Sequence, residues 1–283
     1  MGVDKLFTDA LVELHANGHL VDSRDGFTRE IMGFHASMDP RNCLLRNARR
    51  KLGLKYAAAE LIWYLSGECH IDRVAHYAPQ YARFADAEGI ANGAYGPRLL
   101  LLDALAVLRR DLETRQCVVP IFRPGDLGRT TKDIPCTIAL HFMVRDMKLN
   151  LFVSMRSNDV WLGLPYDIFA FCMIQHLVAA RLGLELGRYH HAASSLHLYD
   201  RNAEAAKSAL TAPAIEPAFR VNLSDCNWND IILMEEQIRK NPHEFEDENP
   251  RFAPYSMGAT LCSMLIGGPA SRWKGYSFLG DQA

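Results

Sequence analysis

The sequence lacks the marks of a protein that binds a polyanion or enters a membrane. Lys and Arg number 31 against 33 Asp and Glu, and the formal net charge of −2 provides no basic field for nucleic acid or an anionic membrane. An anionic small molecule is compatible with this balance, because a few local arginines can hold one. The longest strongly apolar run, residues 168–180, has 13 residues, whereas a membrane span needs about 20. We therefore predict a buried helix there, no membrane partner and no nucleic-acid polymer as ligand.

The cysteines show no pairing pattern. There are seven, an odd number, and none lies in a CxxC pair, so a disulfide scaffold is not indicated. A chain of 283 residues buries enough core to fold without disulfide or metal staples. The first residues, 1–6, contain neither an apolar signal core nor the Ser or Thr of a myristoylation motif. We therefore predict free thiols, no metal site and a cytoplasmic protein.

Helix and strand patterns follow one another without internal repeats and without a regular strand–helix–strand order. They predict helices at 4–16, 54–65, 98–113 and 168–182, an irregular loop and strand at 20–35, a short strand at 117–122, and strands at 137–144 and 149–155. Ser66-Gly67 and Gly183 are the expected ends of two helices. This mixture favours an α+β fold over a doubly wound parallel sheet.

Cys136 stands at the entrance of the first of two strands that look like a β-hairpin. With the turn at Asp146-Met147, antiparallel pairing places Cys136 opposite Ser157 or Asn158 and brings Arg156 within a residue or two of it. A free thiol has a pKa of about 8.5, and a neighbouring guanidinium lowers that pKa by stabilising the thiolate. Cys136 is therefore a candidate nucleophile. On hairpin geometry alone the alternative, a small buried apolar residue, stays open.

Glu60 is the one carboxylate in the nearly all-apolar stretch 57–65. Burying a carboxylate without partners costs several kcal/mol. A buried Glu60 is therefore expected to be protonated, paired or functional, and a raised pKa would suit a general acid–base role. The alternative is that Glu60 lies on the one solvent-exposed stripe of the helix, and the sequence leaves both interpretations open.

Three further groups of polar residues have two interpretations each. The run Arg156-Ser157-Asn158-Asp159 suits either phosphate binding at a strand end or a polar turn. Asp167, at the mouth of the apolar helix, is either a helix N-cap or a carboxylate directed into a cleft. His197 and Tyr199 share one face of an extended segment, where they either bind a ligand or are satisfied polar groups of the core.

In this order and at these spacings, the motifs resemble those of the thymidylate synthase superfamily. The matching stretches are Glu60-Leu-Ile-Trp-Tyr-Leu65, Tyr95-Gly96, Pro135-Cys136, Arg156-Ser-Asn-Asp159, Gly163-Leu-Pro-Tyr-Asp167 and His197-Leu-Tyr199, which cover roughly residues 20–205. The resemblance implies a single catalytic domain over residues 1–283, built on a large twisted mixed β-sheet flanked by helices. It also implies a homodimer whose sheets pack back to back and whose active sites borrow arginines from the partner subunit.

Two residues depart from the synthases and indicate a different base. The synthases carry Pro-Cys-His and an Asn, where this chain has Thr137 after Cys136 and Asp167. An amide matches the N3–H donor and O4 acceptor of uracil, whereas an ionised carboxylate only accepts, and so fits the amine and protonated N3 of cytosine. In these positions the chain resembles the bacteriophage deoxycytidylate hydroxymethylases. It also resembles the cytidylate (CMP) hydroxymethylases of nucleoside-antibiotic pathways such as the mildiomycin pathway, and its Ala-, Leu- and Arg-rich composition favours these and the ribonucleotide.

The resemblance implies that CMP or dCMP is converted to its 5-hydroxymethyl derivative with 5,10-methylenetetrahydrofolate and water. The Cys136 thiolate would add to C6, C5 would take up the one-carbon unit, and water would add to the resulting exocyclic methylene as Cys136 departs. Glu60 would organise water and protons, and Asp167 would select cytosine. The other implied contacts are to phosphate from Arg156, Ser157, Arg24 and the partner's Arg115, to the sugar hydroxyl from His197 and Tyr199, and to the pterin from Asp159 and Tyr81.

Two other functions stay open. One is an ordinary thymidylate synthase that methylates dUMP, against which Thr137 and Asp167 argue. The other is a non-catalytic nucleotide- or RNA-binding homologue, against which the intact catalytic set argues. Residues 208–283 either cover the active site or extend the surface, and the stretch 279–283 lacks the apolar tail with which the synthases close their site. The choice between ribose and deoxyribose depends on packing around the sugar C2′, and no single residue of the sequence indicates that packing.

Overall fold

A computed structural model describes residues 1–212, 227–241 and 257–267. The helices are α1 (Val3–Asn17), α2 (Leu54–Ser66), α3 (Asp72–Tyr77), α4 (Leu101–Arg110), α5 (Leu164–Leu182), α6 (Ala203–Ala209), α7 (Trp228–Lys240) and α8 (Met257–Ile266). The strands are β1 (His19–Ser23), β2 (Gly26–Met38), β3 (Val118–Pro120), β4 (Thr137–Arg145), β5 (Lys148–Met155), β6 (Asn158–Asp159) and β7 (Glu185–Tyr199). The combination of helices with one mixed sheet confirms the predicted α+β class.

The described strands form a single sheet in the order β1-β2-β7-β5-β4-β3, and the short β6 pairs with β7 beyond the end of β5. Strand β7 runs parallel to β5 and β6, while its pairing with β2 and the other pairings are antiparallel. Helices α1 and α5 pack against this sheet. The central β7 is therefore the strand from which side chains can reach residues of β2, β5 and β6.

The hairpin of β4 and β5 forms as predicted, but its register shifts near Cys136. Asp146 and Met147 both have positive φ, 51° and 57°, which is the geometry of a tight hairpin turn that matches strand twist. Ala139 pairs with Ser154 and Thr137 pairs with Met155, so a β-bulge takes up one extra residue on β4. As a result the carbonyl of Cys136 accepts a hydrogen bond from the backbone N–H of Arg156 at 2.8 Å. The predicted pairing with Ser157 or Asn158 is thus wrong by one or two residues.

Residues 20–35 are more regular than predicted. They belong to an antiparallel hairpin of β1 and β2, with Arg24 and Asp25 in its turn and Gly26 at a φ of 115°. Strand β1 is an edge strand whose side chains are mostly exposed. An edge strand without a buried face shows no alternation of apolar and polar residues, which is why the pattern looked irregular.

The helices α2 and α5 confirm the strongest predictions. Each ends at a glycine in the left-handed region, Gly67 with a φ of 74° and Gly183 with a φ of 66°, where glycine avoids the steric cost of a Cβ. The predicted helix at 98–113 is shorter, because Leu100 adopts a φ of 31° and Asp111 is extended. Helix α5 is buried along most of its length, and no helix in the described part of the chain combines the length and hydrophobicity needed to cross a membrane.

The described segments after residue 208 contribute to the core. Helices α7 and α8 pack against α2 and against each other, and Leu261 and Cys262 of α8 are fully buried. A buried ion pair joins Arg73 of α3 to Glu235 of α7. These helices therefore do more than extend the surface. The stretch 279–283 and Cys226 lie outside the described residues, and the six described cysteines are free.

Candidate active site

Cys136 and Arg156 are in direct contact at the point where β4 begins and β5 ends. The guanidinium Nη2 of Arg156 lies 3.6 Å from the Sγ of Cys136. The same guanidinium donates to the carbonyl of Ile134 at 3.0 Å and, through Nε, to the carbonyl of Pro135 at 2.9 Å. Arg156 therefore fixes the segment that carries the cysteine as well as the electrostatic environment of its sulfur.

The pKa of the Cys136 thiol is shifted in the direction opposite to the prediction. Burial raises its pKa above the ordinary value, and this outweighs the lowering by Arg156. The carboxylates of Asp167 and Asp133 raise the pKa further, while Arg24 lowers it. The guanidinium acts in the predicted direction, but the protein environment keeps the sulfur as a thiol. A thiolate at Cys136 consequently needs a group nearby that takes up its proton.

Glu60 is buried among tyrosines on α2, so the interpretation as a solvent-exposed stripe is wrong. Its side chain is 6% exposed, and it hydrogen-bonds the hydroxyls of Tyr56 and Tyr64, one helical turn to either side. Burial, followed by repulsion from Asp167, raises the pKa of Glu60 to about 8. Glu60 therefore holds a proton near neutrality and is able to exchange it with a reacting group.

Asp167 lies in the first turn of α5, but it does not cap the helix. Its backbone N–H already donates to the carbonyl of Gly163, and its Oδ2 accepts from the Nδ2 of Asn158 at 2.7 Å. A Cβ on Gly163 would fall 3.0 Å from that Nδ2 and 3.2 Å from that Oδ2, so glycine makes room for the contact. Burial raises the pKa of Asp167 to about 7. The N-cap interpretation is wrong, and the carboxylate belongs to the site of Cys136 and Glu60.

Replacing Glu60 with Gln is expected to make the free energy of unfolding fall less as the pH rises. A carboxyl whose pKa is raised on folding stabilises the folded state below its unfolded pKa of about 4.3, and this stability is lost as the pH rises to the folded pKa of about 8. Gln stays neutral throughout. At ~1.4 kcal/mol per pKa unit, Glu60→Gln should gain a few kcal/mol in free energy of unfolding relative to wild type between pH 5 and pH 8, measured by urea denaturation.

The matched control for this experiment is Glu13→Gln. Glu13 is exposed on α1, so its substitution makes the same Glu-to-Gln change without altering a buried group. Its stability should follow that of the wild type across the pH range. Equal pH dependence of Glu60→Gln and wild type would contradict a buried, protonated Glu60.

The structure brings Ser157, Asp159, His197 and Tyr199 together where β6 pairs with β7. Ser157 Oγ and His197 Nδ1 lie 3.3 Å apart and share a hydrogen bond, and the rings of His197 and Tyr199 meet edge to face at 5.4 Å. Asp159 Oδ1 accepts from two backbone N–H groups, while its buried Oδ2 has no hydrogen-bond partner among the described residues. Burial raises the pKa of Asp159. This oxygen is an available acceptor for a ligand N–H.

Arg24 lies near this site, whereas Arg115 of the same chain does not. Arg24 is exposed in the β1–β2 turn, 3.7 Å from the carboxylate of Asp25, and its charge reaches the Cys136 thiol. The carbonyl of Arg115 lies 3.1 Å from Nε2 of His141. His141 is five residues further along β4 than Cys136, which corresponds to roughly 16 Å at a strand rise of about 3.3 Å per residue.

Tyr81 lies against the tyrosine cluster of α2, in a short 3-10 turn that spans Pro79–Phe84. Its ring meets Trp63 edge to face at 5.3 Å and lies 6.2 Å from the ring of Tyr56. Burial and the charge of Glu60 raise the pKa of its hydroxyl. Tyr81 is thus an aromatic surface beside Glu60, and the contact to the pterin that the resemblance implies stays a prediction.

The sequence patterns did not indicate the tyrosines and the histidine that form hydrogen bonds around the site, namely Tyr56, Tyr64, Tyr189 and His191. Signals for them exist. Tyr56 and Tyr64 are each four residues from Glu60, the spacing at which helical side chains meet. Tyr189 and His191 continue, at alternate positions of β7, the series that ends in His197 and Tyr199.

A thymidylate synthase family model matches residues 5–241 of this chain, which is most of its length and includes every site residue described above. Members of this family transfer a one-carbon unit to a pyrimidine nucleotide and use methylenetetrahydrofolate as co-substrate. The mixed sheet flanked by helices agrees with the fold of that family. The chain therefore belongs to the thymidylate synthase family.

Proposed function

We propose that the protein is a hydroxymethyltransferase that converts CMP or dCMP to the 5-hydroxymethyl nucleotide with 5,10-methylenetetrahydrofolate and water. The observation that carries this proposal is the carboxylate of Asp167 beside Cys136 and Glu60. Its Oδ2 accepts from Asn158, and an oxygen that already accepts a hydrogen bond is held in the acceptor role. An acceptor at this position suits cytosine and opposes O4 of uracil.

The raised pKa of Asp167 supports recognition of N3 as well as of the exocyclic amine. A carboxyl with a pKa of about 7 shares its proton readily with N3 of cytosine near neutrality. Either the ionised carboxylate faces protonated N3, or the neutral carboxyl donates to unprotonated N3. Both arrangements draw electron density from the ring, and so make C6 more open to attack by a thiolate.

Cys136 then acts as the nucleophile, and Arg156 stabilises the thiolate at a distance of 3.6 Å. The Sγ–C6 bond would form, and C5 would become nucleophilic and take up the one-carbon unit. Loss of the C5 proton and of tetrahydrofolate would then leave an exocyclic methylene. Water adds to the exocyclic methylene as the Sγ–C6 bond breaks, so that the added water becomes the hydroxyl and a proton. Glu60, with its pKa of about 8, is placed to organise that water and to take and return protons.

The described residues fit the folate co-substrate, which supplies the one-carbon unit. The partnerless Oδ2 of Asp159 is an acceptor for an N–H of the pterin, and Tyr81 provides an aromatic face. The nucleotide phosphate is assigned to Arg156, Ser157 and Arg24, and the sugar hydroxyl to the pair His197 and Tyr199. These assignments follow from the resemblance and are supported by the grouping of the side chains.

The proposed enzyme is a homodimer in which Arg115 serves the partner's active site. Val118 and Phe152 are exposed large apolar residues on one face of the sheet, each paired in register with His141. Phe152 also stacks on His190 at 4.2 Å. An apolar and aromatic sheet face of this kind suits packing against a second sheet. The backbone carbonyl of Arg115 lies 3.1 Å from Nε2 of His141, which supports placing Arg115 beside this face.

A substrate panel tests the proposed function. CMP, dCMP and dUMP are each supplied with methylenetetrahydrofolate, and both the nucleotide product and the folate product are followed. We expect the 5-hydroxymethyl nucleotide and tetrahydrofolate from CMP or dCMP, because water replaces hydride in the last step. Formation of dihydrofolate with dUMP would instead identify a synthase and contradict the proposal.

Comparison of CMP with dCMP in the same panel shows whether the substrate is the ribonucleotide or the deoxyribonucleotide. We favour CMP as the substrate. Binding of CMP without any turnover would indicate the non-catalytic alternative. A cytoplasmic location and a role in nucleoside-antibiotic biosynthesis stay predictions from the sequence.

A further inference from the structure

Behind Asp167, three buried polar side chains form a hydrogen-bonded chain that the proposed catalytic steps do not use. Tyr189 and His191 on β7 are 0% exposed, and Asn158 on β6 is 3% exposed. The Tyr189 hydroxyl lies 2.9 Å from Nδ1 of His191, and Nε2 of His191 lies 3.0 Å from Oδ1 of Asn158. The chain ends at the 2.7 Å contact from Asn158 Nδ2 to Asp167 Oδ2.

In this hydrogen-bonded chain, each bond has a defined donor and acceptor, which follow from the chemistry of a neutral imidazole. Burial lowers the pKa of His191 to about 3, so its ring carries one N–H donor and one bare nitrogen acceptor. The amide of Asn158 directs Nδ2 towards Asp167 and therefore presents Oδ1 to His191. Nε2 must then carry the proton, and Nδ1 accepts from the hydroxyl of Tyr189.

We propose that Tyr189 and His191 are positioning residues that hold the Asn158 amide in one orientation and thereby keep Asp167 an acceptor selective for cytosine. The inference rests on the proposed function only for the identity of the base. A side chain that acts on the substrate through two others is a positioning residue rather than a catalytic one.

Reversing the direction of these hydrogen bonds shows why the orientation of the Asn158 amide matters. If the Asn158 amide turned over, its Oδ1 would face the Oδ2 of Asp167, and two acceptors would oppose each other. The conflict is relieved when Oδ2 of Asp167 is protonated and donates to Asn158. That oxygen is then a weaker acceptor for the cytosine amine, so the advantage of cytosine over uracil shrinks. Loss of the direction set by His191 should therefore raise the affinity of Asp167 for its proton and weaken the discrimination between the bases.

The test compares His191→Leu with wild type in two measurements that need no turnover. Carboxyl ¹³C NMR of aspartate-labelled protein gives the pKa of Asp167, with its signal assigned by its absence from Asp167→Asn. Calorimetry gives the affinities for CMP and UMP. We expect the pKa of Asp167 to rise by about one unit, because the bond from Asn158 lowers it. The preference for CMP over UMP should fall about tenfold, which corresponds to ~1.4 kcal/mol.

Two variants and one control separate positioning from general destabilisation. His191→Gln retains an N–H donor for Asn158 and should recover most of the wild-type preference. Tyr189→Phe keeps the buried ring, removes only the hydroxyl and provides a second test if His191→Leu does not fold. The control is His176→Leu on α5. His176 is also a buried histidine, but it hydrogen-bonds the carbonyl of Cys172 and takes no part in the chain.

The outcomes are distinguishable. An Asp167 pKa and a CMP preference in His191→Leu and Tyr189→Phe equal to those of His176→Leu would overturn the positioning role. Failure of the proposed function would show instead in the wild type, as an absence of preference for CMP. In that case the NMR titration would still report whether the hydrogen bonds from Tyr189 to Asn158 control the pKa of Asp167.

Discussion

Replacing Cys136 with Ala is expected to reduce turnover of CMP or dCMP by at least about 10⁴-fold, because no other cysteine among the described residues lies in the site to form the bond to C6. Arg156 would still contact the phosphate and Asp167 the base, so nucleotide binding should change far less than turnover. The measurement is the rate of 5-hydroxymethyl nucleotide formation, with nucleotide affinity determined on the same protein by calorimetry. Turnover within tenfold of the wild type would contradict the covalent mechanism.

Cys69→Ala is the matched control for this variant. Cys69 is a free, half-buried cysteine outside the site, and its loss should leave turnover near the wild-type rate. A direct test of the bond uses a cytosine nucleotide with fluorine at C5. The mechanism requires loss of a proton from C5, and fluorine cannot leave as a cation, so the adduct with Cys136 should persist. Mass spectrometry should then find the wild-type chain, but not Cys136→Ala, heavier by the bound nucleotide and one-carbon donor.

The parts of the fold that the sequence predicted are those with a strong repeating signal. Helix α5 and the hairpin of β4 and β5 bury one face or all faces, so their apolar patterns are visible along the chain. The hairpin of β1 and β2 was missed because β1 lies at an exposed edge. The bulge in β4 was missed for another reason. One extra residue changes the register locally without altering the alternation on either side, and only three-dimensional pairing reveals it.

The candidate site likewise contains residues that the sequence indicated and properties that it did not. The residues to which we assign chemistry stood out because they break an expected pattern, as Glu60 does in an apolar helix and Asp167 does where the synthases have Asn. The direction of the Cys136 pKa was not predictable, because it depends on how burial compares with the charge of Arg156. The only signal for His191 is its place in the alternating series with His197 and Tyr199, and such a histidine becomes informative only when its neighbours across the sheet are known.

Replacing Asp167 with Asn is expected to reverse the base preference of the enzyme. With Asn158 still donating, the new amide would present its oxygen to Asn158 and its N–H₂ group to the base, which matches O4 of uracil and opposes the cytosine amine. The ratio of kcat/KM for cytosine over uracil nucleotides should fall by roughly 100-fold or more, because each mismatched pairing leaves a buried polar group unsatisfied. Competition between CMP and UMP, and between dCMP and dUMP, measures this ratio.

Asp133→Asn is the control that separates base recognition from general electrostatics. Asp133 is a carboxyl whose pKa is raised to about 6 by burial, and like Asp167 it raises the pKa of Cys136. Removing either carboxylate therefore favours the thiolate, but only Asp167 is held by Asn158 as an acceptor. The base ratio should stay near the wild-type value in Asp133→Asn. If both variants changed the ratio equally, or if neither did, selection of cytosine would not depend on Asp167. If only Asp167→Asn changes it, the specificity resides in the hydrogen bonds that residue 167 makes with Asn158 and the base, and not in the general charge of the site.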